Sequence, residues 1–155
     1  MIKNTILLVV TVLLSSCGTK VNTTSEELIN KAPEFTALFN SGMEEGVSCY
    51  RIPAIVTAPN GDLIAAIDQR VPNCGDLKWS KDINVIVRRS SDNGKTWTAI
   101  EMVIDFPEGK SASDPSMIVD KVTGDIFMFY NYMNLDTEKD IYYLHVMKSA
   151  DNGKT

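Results

Sequence analysis

The sequence predicts an all-β chain that forms part of a β-propeller, and two observations lead to that fold. From residue 50 onward, short apolar and β-branched segments alternate with turns rich in Gly, Asn and Asp, whereas helical signals are weak. The second observation is a repeat of about sixty residues. Four pairs of equivalent positions mark it: Pro53 and Pro115, Gly61 and Gly124, Asp82 and Asp140, and Ser90 and Ser149. A period of this length built of four strands is typical of propeller blades.

The first repeat predicts four strands. They are residues 52–57, 63–67, 83–87 and 98–104. The Pro-Asn-Gly-Asp turn at 59–62 joins the first two strands into a hairpin, and Asp-Asn-Gly at 92–94 joins the last two.

The second repeat predicts three further strands. They are residues 115–119, 126–128 and 140–148. Because one blade cannot bury both of its faces, several blades must close into a ring. A two-sheet sandwich would suit short strands but would not produce the repeat. We therefore expect residues 46–155 to be about the first two blades of a truncated propeller.

Composition excludes one class of partner. The chain has 155 residues, of which 44% are hydrophobic and 23% charged, which is ordinary for a globular protein. A net charge of −5 argues against nucleic-acid binding, since phosphate binding needs a basic surface. An acidic ligand would need a local group of arginines.

The N-terminus predicts a signal peptide over residues 1–16. A basic start is followed by an apolar run, residues 6–14, that is too short to span a bilayer. The run ends in Leu14-Ser15-Ser16-Cys17, which resembles the lipobox of bacterial lipoproteins. That resemblance implies lipidation of Cys17 and a place in the bacterial cell envelope, on the periplasmic or the outer surface of the outer membrane. An ordinary secretory signal is the alternative. Residues 17–45 would then be the lipidated cysteine and a polar tether, with a possible helical turn at 25–31.

Two further cysteines, Cys49 and Cys74, remain after that segment. In an oxidising periplasm they could form a disulfide, and two buried thiols are the alternative. The sequence leaves the choice open.

The repeated phrase Ser-x-Asp-x-Gly-x-Thr predicts a turn rather than a catalytic site. Asp92 can accept backbone hydrogen bonds, Gly94 can supply a positive φ, and Trp97 offers a large apolar face. No general base lies nearby, and one carboxylate is too few for a calcium loop. The phrase matches the Asp box of bacterial sialidases and some other propellers, where it is a structural turn remote from the substrate. Its residues here are Ser90, Asp92, Gly94, Thr96 and Trp97, then Ser149, Asp151, Gly153 and Thr155.

Arg51 opens an apolar strand in Tyr-Arg-Ile-Pro, where a guanidinium is costly unless it meets an anion. Other polar residues follow in order: Arg70 in Asp-Gln-Arg, Asp76 in a loop, Arg88 and Arg89 before the first turn, and Asp114 at the start of the next blade. Over residues 46–155 this order resembles the bacterial exo-α-sialidases (neuraminidases). The resemblance implies a six-bladed propeller.

The resemblance also implies four roles. Arg51 would be the first of three arginines that bind the carboxylate of sialic acid, since a guanidinium meets a carboxylate bidentately. Arg70 would contact the sugar near its 4-hydroxyl. Asp76 would be the general acid/base on a mobile loop. Asp114 would touch the 4-hydroxyl or N-acetyl side.

Each role has a competing interpretation. Arg51 could belong to a surface ion pair, and Asp114 could be a turn aspartate before proline. Asp68 and Asp82 compete with Asp76, although we expect Asp68 to pair with Arg70 and Asp82 to begin a strand as Asp140 does. Trp79 could either edge a pocket or be structural.

His145 is expected to be a packing or surface residue, and four tyrosines are expected to pack within strands rather than to act chemically. The tyrosines are Tyr130, Tyr132, Tyr142 and Tyr143. Neither these nor Tyr50 is assigned as nucleophile. No metal-ligand cluster and no cofactor motif is found in the sequence.

The resemblance implies a retaining exo-α-sialidase acting on sialylated glycans and glycoproteins. The family uses a tyrosine nucleophile activated by a glutamate, an exception to the usual pair of carboxylates. Those residues and two clamp arginines lie late in the family's chain, so we expect the fragment alone to be inactive. The alternatives are a propeller lectin that binds acidic glycans without cleaving them, and an enzyme for a different acidic sugar.

Overall fold

Residues 35–155 form seven strands in two antiparallel sheets, as described by a computed structural model. The predicted signal peptide, Cys17 and the possible turn at 25–31 lie outside the described residues. In the part of the chain that is described, no helix is long and apolar enough to cross a membrane.

The first sheet contains the four strands of the first repeat, in the order β1-β2-β3-β4. They are β1 (Cys49–Thr57), β2 (Leu63–Val71), β3 (Asp82–Ser90) and β4 (Glu101–Ile104). The hairpin and the two later strands are therefore confirmed, although β4 begins three residues later than predicted. The β2–β3 ladder runs from Leu63 opposite Ser90 to Val71 opposite Asp82, so it continues through the polar residues at which the predicted strands stopped.

The second sheet contains β5 (Lys110–Val119), β6 (Ile126–Asn134) and β7 (Tyr143–Ser149) in the order β5-β6-β7. We predicted that Asp140 begins a strand as Asp82 does, and this prediction is wrong. Asp82 begins β3, but Asp140 lies in the turn before β7, with a φ of 72° and an ion pair to Lys78 at 2.7 Å.

Each sheet has an irregularity at the same place in its first strand. The register shifts between Arg51 and Ala54 in β1, and between Ser113 and Ser116 in β5. Proline has no N–H to give to the ladder, and in both strands it follows a residue of positive φ, Ile52 at 55° and Asp114 at 58°. The expectation that Arg51 and Asp114 open their strands is wrong. Both lie within strands, and Asp114 corresponds to Ile52.

The main core lies between the two sheets. Strand β5 packs against β1, β2 and β3, and apolar side chains of both sheets meet there. The buried members are Ala58, Ile64, Ala66, Val85, Val87, Ile104, Ala112, Ile126 and Met128. Burial of an Ile, Val or Met side chain stabilises a fold by roughly 1.5–3 kcal/mol, so this layer fixes the second sheet on the first.

Part of the predicted tether packs on the first sheet. The Leu38 carbonyl accepts a hydrogen bond from Arg88 Nη1 at 2.7 Å, and the Phe39 ring lies 5.7 Å from that of Tyr50. The Glu44 carboxylate accepts hydrogen bonds from the Tyr50 hydroxyl and Gln69. Residues 38–44 are therefore part of the folded unit, within the range that was predicted as tether.

The second sheet presents apolar side chains to solvent. Leu144 is 71% exposed, Ile118 59% and Val146 55%. A propeller blade packs both faces against its neighbours, so this surface fits the contact face for a further blade.

Candidate active site

A cleft of about 350 Å³ lies where the two sheets meet. Its walls come from β1, the β2–β3 loop (residues 72–81), β5, β6 and the segment before β7. Three of the four predicted site residues, Arg51, Asp76 and Asp114, line it. Trp79 also lines the cleft and is 70% exposed. Of the two interpretations that the sequence left open, the one with Trp79 at the edge of a pocket therefore holds.

Arg51 presents its guanidinium to the cleft. Its side chain is 43% exposed, and Nη1 donates to Asp76 Oδ1 at 3.1 Å and to the Cys74 carbonyl at 3.2 Å. The irregular backbone at Ile52 and Pro53 follows directly. A partly exposed guanidinium at a bent strand can exchange one anionic partner for another, so Arg51 can bind a soluble carboxylate.

Arg70, the fourth predicted residue, lies beneath the cleft rather than on its wall. Its side chain is only 1% exposed. Its Nη1 donates to Asp76 Oδ1 at 2.6 Å and to the Gly75 carbonyl at 2.7 Å, and Nη2 donates to Asp68 Oδ2 at 2.7 Å. The predicted pairing of Asp68 with Arg70 is confirmed. Two carboxylates offset the cost of burying this guanidinium.

Asp76 stands between the two arginines with a 60% exposed side chain. The hydrogen bond from Arg70 is the main cause that lowers its pKa, and the charges of Arg70 and Arg51 add to it. Asp76 is therefore ionised at neutral pH in this arrangement. Of its two competitors, Asp68 is fully buried and Asp82 does not line the cleft.

The loop that carries Asp76 is fixed at several points. A disulfide joins Cys74 to Cys49 of β1, with the Cα atoms 5.7 Å apart. The Asp76 carbonyl accepts hydrogen bonds from the N–H groups of Trp79 and Ser80, and Leu77 packs in a small core with Ile83 and Met133. The bridge settles the choice between a disulfide and two thiols, and it ties the loop to the strand of Arg51.

Asp114 faces the same cleft from the second sheet. Its Oδ2 accepts hydrogen bonds from Asn131 Nδ2 at 2.8 Å and from the Ser113 hydroxyl at 3.2 Å. Its positive φ is a conformation that Asp adopts more readily than most residues. Asp114 and Asn131 together offer an acceptor and an amide to a polar ligand.

The two repeated turns, named here the Asp turns (residues 90–97 and 149–155), lie at the other end of the sheets. Asp92 accepts hydrogen bonds from the Thr96 N–H at 2.8 Å, the Thr96 hydroxyl at 2.7 Å and the Ser90 hydroxyl at 2.8 Å. Gly94 has the predicted positive φ, 84°. The Ser90 and Thr96 hydroxyls both donate to Asp92 within the turn. Ser90 pairs with Leu63, seven residues along β2 from Arg70, which corresponds to roughly 23 Å.

The second Asp turn repeats this pattern and also joins the sheets. Asp151 accepts from the N–H and hydroxyl of Thr155 and from the Ser149 hydroxyl. The Gly153 carbonyl accepts a hydrogen bond from Arg89 Nε at 2.6 Å. None of the residues of the two Asp turns lines the cleft.

No protein-family model matches the chain. It is 34% identical over 125 residues to a sialidase of Micromonospora viridifaciens, an alignment that covers 72% of this chain and 19% of that protein. The structure is similar to that of the Hadza microbial sialidase Hz136, with a TM-score of 0.60 and 26% identity over 68% of this chain and 24% of that one. The chain belongs to the sialidase family. Its two sheets are two blades of the sialidase β-propeller.

A leech intramolecular trans-sialidase, solved in complex with 2,7-anhydro-Neu5Ac, is a third relative of this sialidase chain. It matches with a TM-score of 0.57 and 28% identity over 71% of this chain and 19% of that one. The chain thus spans about a fifth of the length of its Micromonospora relative.

Sequence reasoning missed several residues of the sialidase cleft. Tyr142 was expected to pack in a strand, but it precedes β7, is 54% exposed and lines the cleft. Asn131 and Ser113 are partners across the β5–β6 ladder, a relation that only the register reveals. His145 does pack as expected, because its ring stacks on Tyr132 with centroids 4.9 Å apart. Among residues 35–155, no group of His, Cys, Asp or Glu is placed to hold a metal ion.

Proposed function

We propose that the protein containing this chain is a retaining exo-α-sialidase that releases terminal sialic acids from glycoconjugates. The observation that carries the proposal is the meeting of an exposed Arg51 with Asp76 and Asp114 in one cleft between two blades. Sialic acid is a sugar that carries a carboxylate, so a guanidinium next to hydrogen-bonding side chains suits it.

Arg51 is the proposed carboxylate-binding residue. The Asp76 carboxylate lies 3.1 Å from Arg51 Nη1, where a substrate carboxylate would compete with it. Displacement would move Asp76 away from the cations that lower its pKa, Arg70 above all. Its pKa would then rise, and Asp76 could carry a proton to the leaving glycoside oxygen.

Asp114 and Asn131 are the proposed contacts for the hydroxyl or N-acetyl side of the sugar. Asp114 has free acceptor capacity beyond its two hydrogen bonds, and the Asn131 amide can donate and accept. The resemblance implies that a tyrosine nucleophile, its glutamate and two further arginines come from later in the full-length protein. Because the reacting carbon bears a carboxylate, a neutral tyrosine avoids the repulsion that a carboxylate nucleophile would meet.

The test is turnover by the full-length protein that contains this sequence. A fluorogenic sialoside and 3′-sialyllactose should both release sialic acid, and the fluorogenic glycoside of a neutral sugar should not react. Failure to turn over either sialoside would overturn the proposal. Binding of 3′-sialyllactose without turnover would instead support the lectin alternative.

A second candidate, intramolecular transfer, is favoured by the leech trans-sialidase among the relatives. The two reactions differ in what attacks the same intermediate: water gives free sialic acid, and a hydroxyl of the sugar itself gives the anhydro product. Mass spectrometry of the product distinguishes them, because the anhydro sugar is lighter by one water.

The proposed location is the bacterial cell envelope, with a lipid anchor on Cys17. The support is the Leu14-Ser15-Ser16-Cys17 sequence after the apolar run. Expression of the full-length protein with Cys17→Ala should move it from the membrane fraction to the soluble fraction. Continued membrane association of that variant would argue against the anchor.

A further inference from the structure

A buried carboxylate, Asp68, lies beneath the cleft and contacts two of the proposed site residues at once. Its side chain is 0% exposed. Oδ2 accepts a hydrogen bond from Arg70 Nη2 at 2.7 Å, and Oδ1 accepts one from the backbone N–H of Asp114 at 2.8 Å. Arg70 is on β2 and Asp114 is on β5, so one side chain joins the two blades directly below the cleft.

The Asp114 N–H is available because β5 is irregular there. The β5–β6 register breaks between Ser113 and Ser116. The Asp114 N–H is part-buried, so the lack of a partner would be costly, and Asp68 supplies that partner. The kink that turns the Asp114 side chain toward the cleft is thus held from below by Asp68.

Arg70 depends on Asp68 in the same way. Its guanidinium is buried, and Asp68 and Asp76 are its only carboxylate partners among the described residues. When Asp76 leaves Arg70 during the proposed reaction, Asp68 is the charge that keeps the guanidinium in place. Burial disfavours the ionised carboxylate and raises the pKa of Asp68 to about 6, and the hydrogen bonds from Arg70 and from the Asp114 N–H oppose that shift.

A merely structural ion pair would not have these partners. The Lys148–Asp125 pair, at 2.9 Å in the second sheet, involves no residue that lines the cleft. Both partners of Asp68, in contrast, form hydrogen bonds with residues that line the cleft. Arg70 donates to Asp76 at 2.6 Å, and Asp114 accepts from Asn131 at 2.8 Å.

We propose that Asp68 is a positioning residue for substrate recognition, which sets the Arg70 guanidinium and the Asp114 main chain in the geometry that the cleft requires. The inference rests on the proposed sialidase function. It assigns Asp68 no contact with substrate and no proton transfer. Its effect should appear mainly in KM, because the groups that it holds are binding groups.

The experiment compares Asp68→Asn and Asp68→Ala with wild type in the full-length protein, with Asp125→Asn as matched control. We measure kcat and KM on a fluorogenic sialoside, together with Tm. Asp68→Asn keeps an oxygen for the Asp114 N–H but loses the charge opposite Arg70. Its kcat/KM should fall by roughly 10- to 100-fold, mostly through KM. The kcat/KM of Asp68→Ala should fall further. That of Asp125→Asn should stay within about twofold, because this variant breaks only a partly exposed pair that does not line the cleft.

A neutral double variant, Asp68→Asn with Arg70→Gln, covers the case in which the single variants do not fold. It leaves no uncompensated buried charge, and its KM should be raised as much as in Arg70→Gln alone. Wild-type KM in a folded Asp68→Asn protein, or in the double variant, would overturn the inference and leave the sialidase function standing. Absence of turnover in wild type would overturn the function itself and this inference with it.

Discussion

The two ends of the sheets use the same residue type, aspartate, in opposite ways. At the Asp turns, Asp92 and Asp151 form all their hydrogen bonds with residues two to four positions away. At the cleft, Asp76 meets Arg51, 25 residues away, and Asp68 meets the N–H of Asp114, 46 residues away. The first pattern holds one turn, whereas the second assembles a site from separate strands and two blades.

This difference teaches how to separate structural from functional carboxylates in a repeat protein. A carboxylate that accepts three hydrogen bonds within its own turn, as Asp92 does, has little acceptor capacity left for a ligand. Asp76 is more than half exposed, and its partner Arg51 is 43% exposed, so a ligand can reach that ion pair. Four predictions test that contrast, in order of decreasing effect.

Replacement of the proposed acid should have the largest effect. In Asp76→Ala, kcat/KM for 3′-sialyllactose should fall by about 10²- to 10⁴-fold, because the poor leaving group needs a proton. The loss should be much smaller for an activated aryl sialoside, whose leaving group departs without one. Steady-state kinetics on both substrates provide the check. Equal losses on both would argue against a role as general acid.

Removal of the proposed carboxylate-binding group should have the next largest effect. Arg51→Ala should lower kcat/KM for sialosides by roughly 10- to 100-fold, since hydrogen bonds to charged groups are lost. Arg51→Lys keeps the charge without the bidentate geometry, so its kcat/KM should lie between the values for Arg51→Ala and wild type. Kinetics of the three proteins give the answer, and wild-type KM in Arg51→Ala would reject the assignment.

Loss of the disulfide should have a smaller effect on activity and a clear effect on stability. The bridge closes a loop of 25 residues, which corresponds to about 3 kcal/mol in the chain-entropy model. Cys49→Ser with Cys74→Ser should lower Tm, and it should lower kcat/KM by a few-fold because the Asp76 loop loses its tie to β1. Addition of a reductant to wild type should reproduce both changes. An unchanged Tm after confirmed reduction would contradict the role of the bridge.

An Asp turn should affect stability alone. Hydrogen bonds from Thr96 are the main cause that lowers the pKa of Asp92 from 3.8 to about 2. The group therefore stabilises the fold above about pH 4, and that contribution is lost as pH falls toward 2. Asp92→Asn should lower Tm at pH 7 by more than at pH 2. Its activity per folded molecule should match wild type, and a raised KM would contradict a structural role.

Sequence reasoning found the architecture because the signals for it are local. Strand patterns, the Asp turns and the period of about sixty residues depend on neighbours along the chain, so two blades could be predicted. Arg51, Asp76 and Asp114 were found through resemblance, and the structure places them in one cleft.

What could not be predicted depends on register and on contacts between the sheets. Asn131 and Tyr142 stand among aromatic residues that look like strand packing, and only the ladder and the turn before β7 place them at the cleft. The Asp68 contact with Asp114 crosses from one sheet to the other, and no local pattern marks it. The prediction that Asp140 begins a strand was wrong, because Asp140 resembles Asp82 in sequence but lies in a turn.

The most direct test compares two isosteric variants, Asp76→Asn and Asp92→Asn, in the full-length protein with 3′-sialyllactose as substrate. Each removes one carboxylate charge and keeps the shape of the side chain. We predict that kcat/KM falls by at least about 100-fold in the cleft variant and stays within about twofold in the turn variant. Loss of activity in folded Asp92→Asn with full activity in Asp76→Asn would contradict the assignment of chemistry to the cleft.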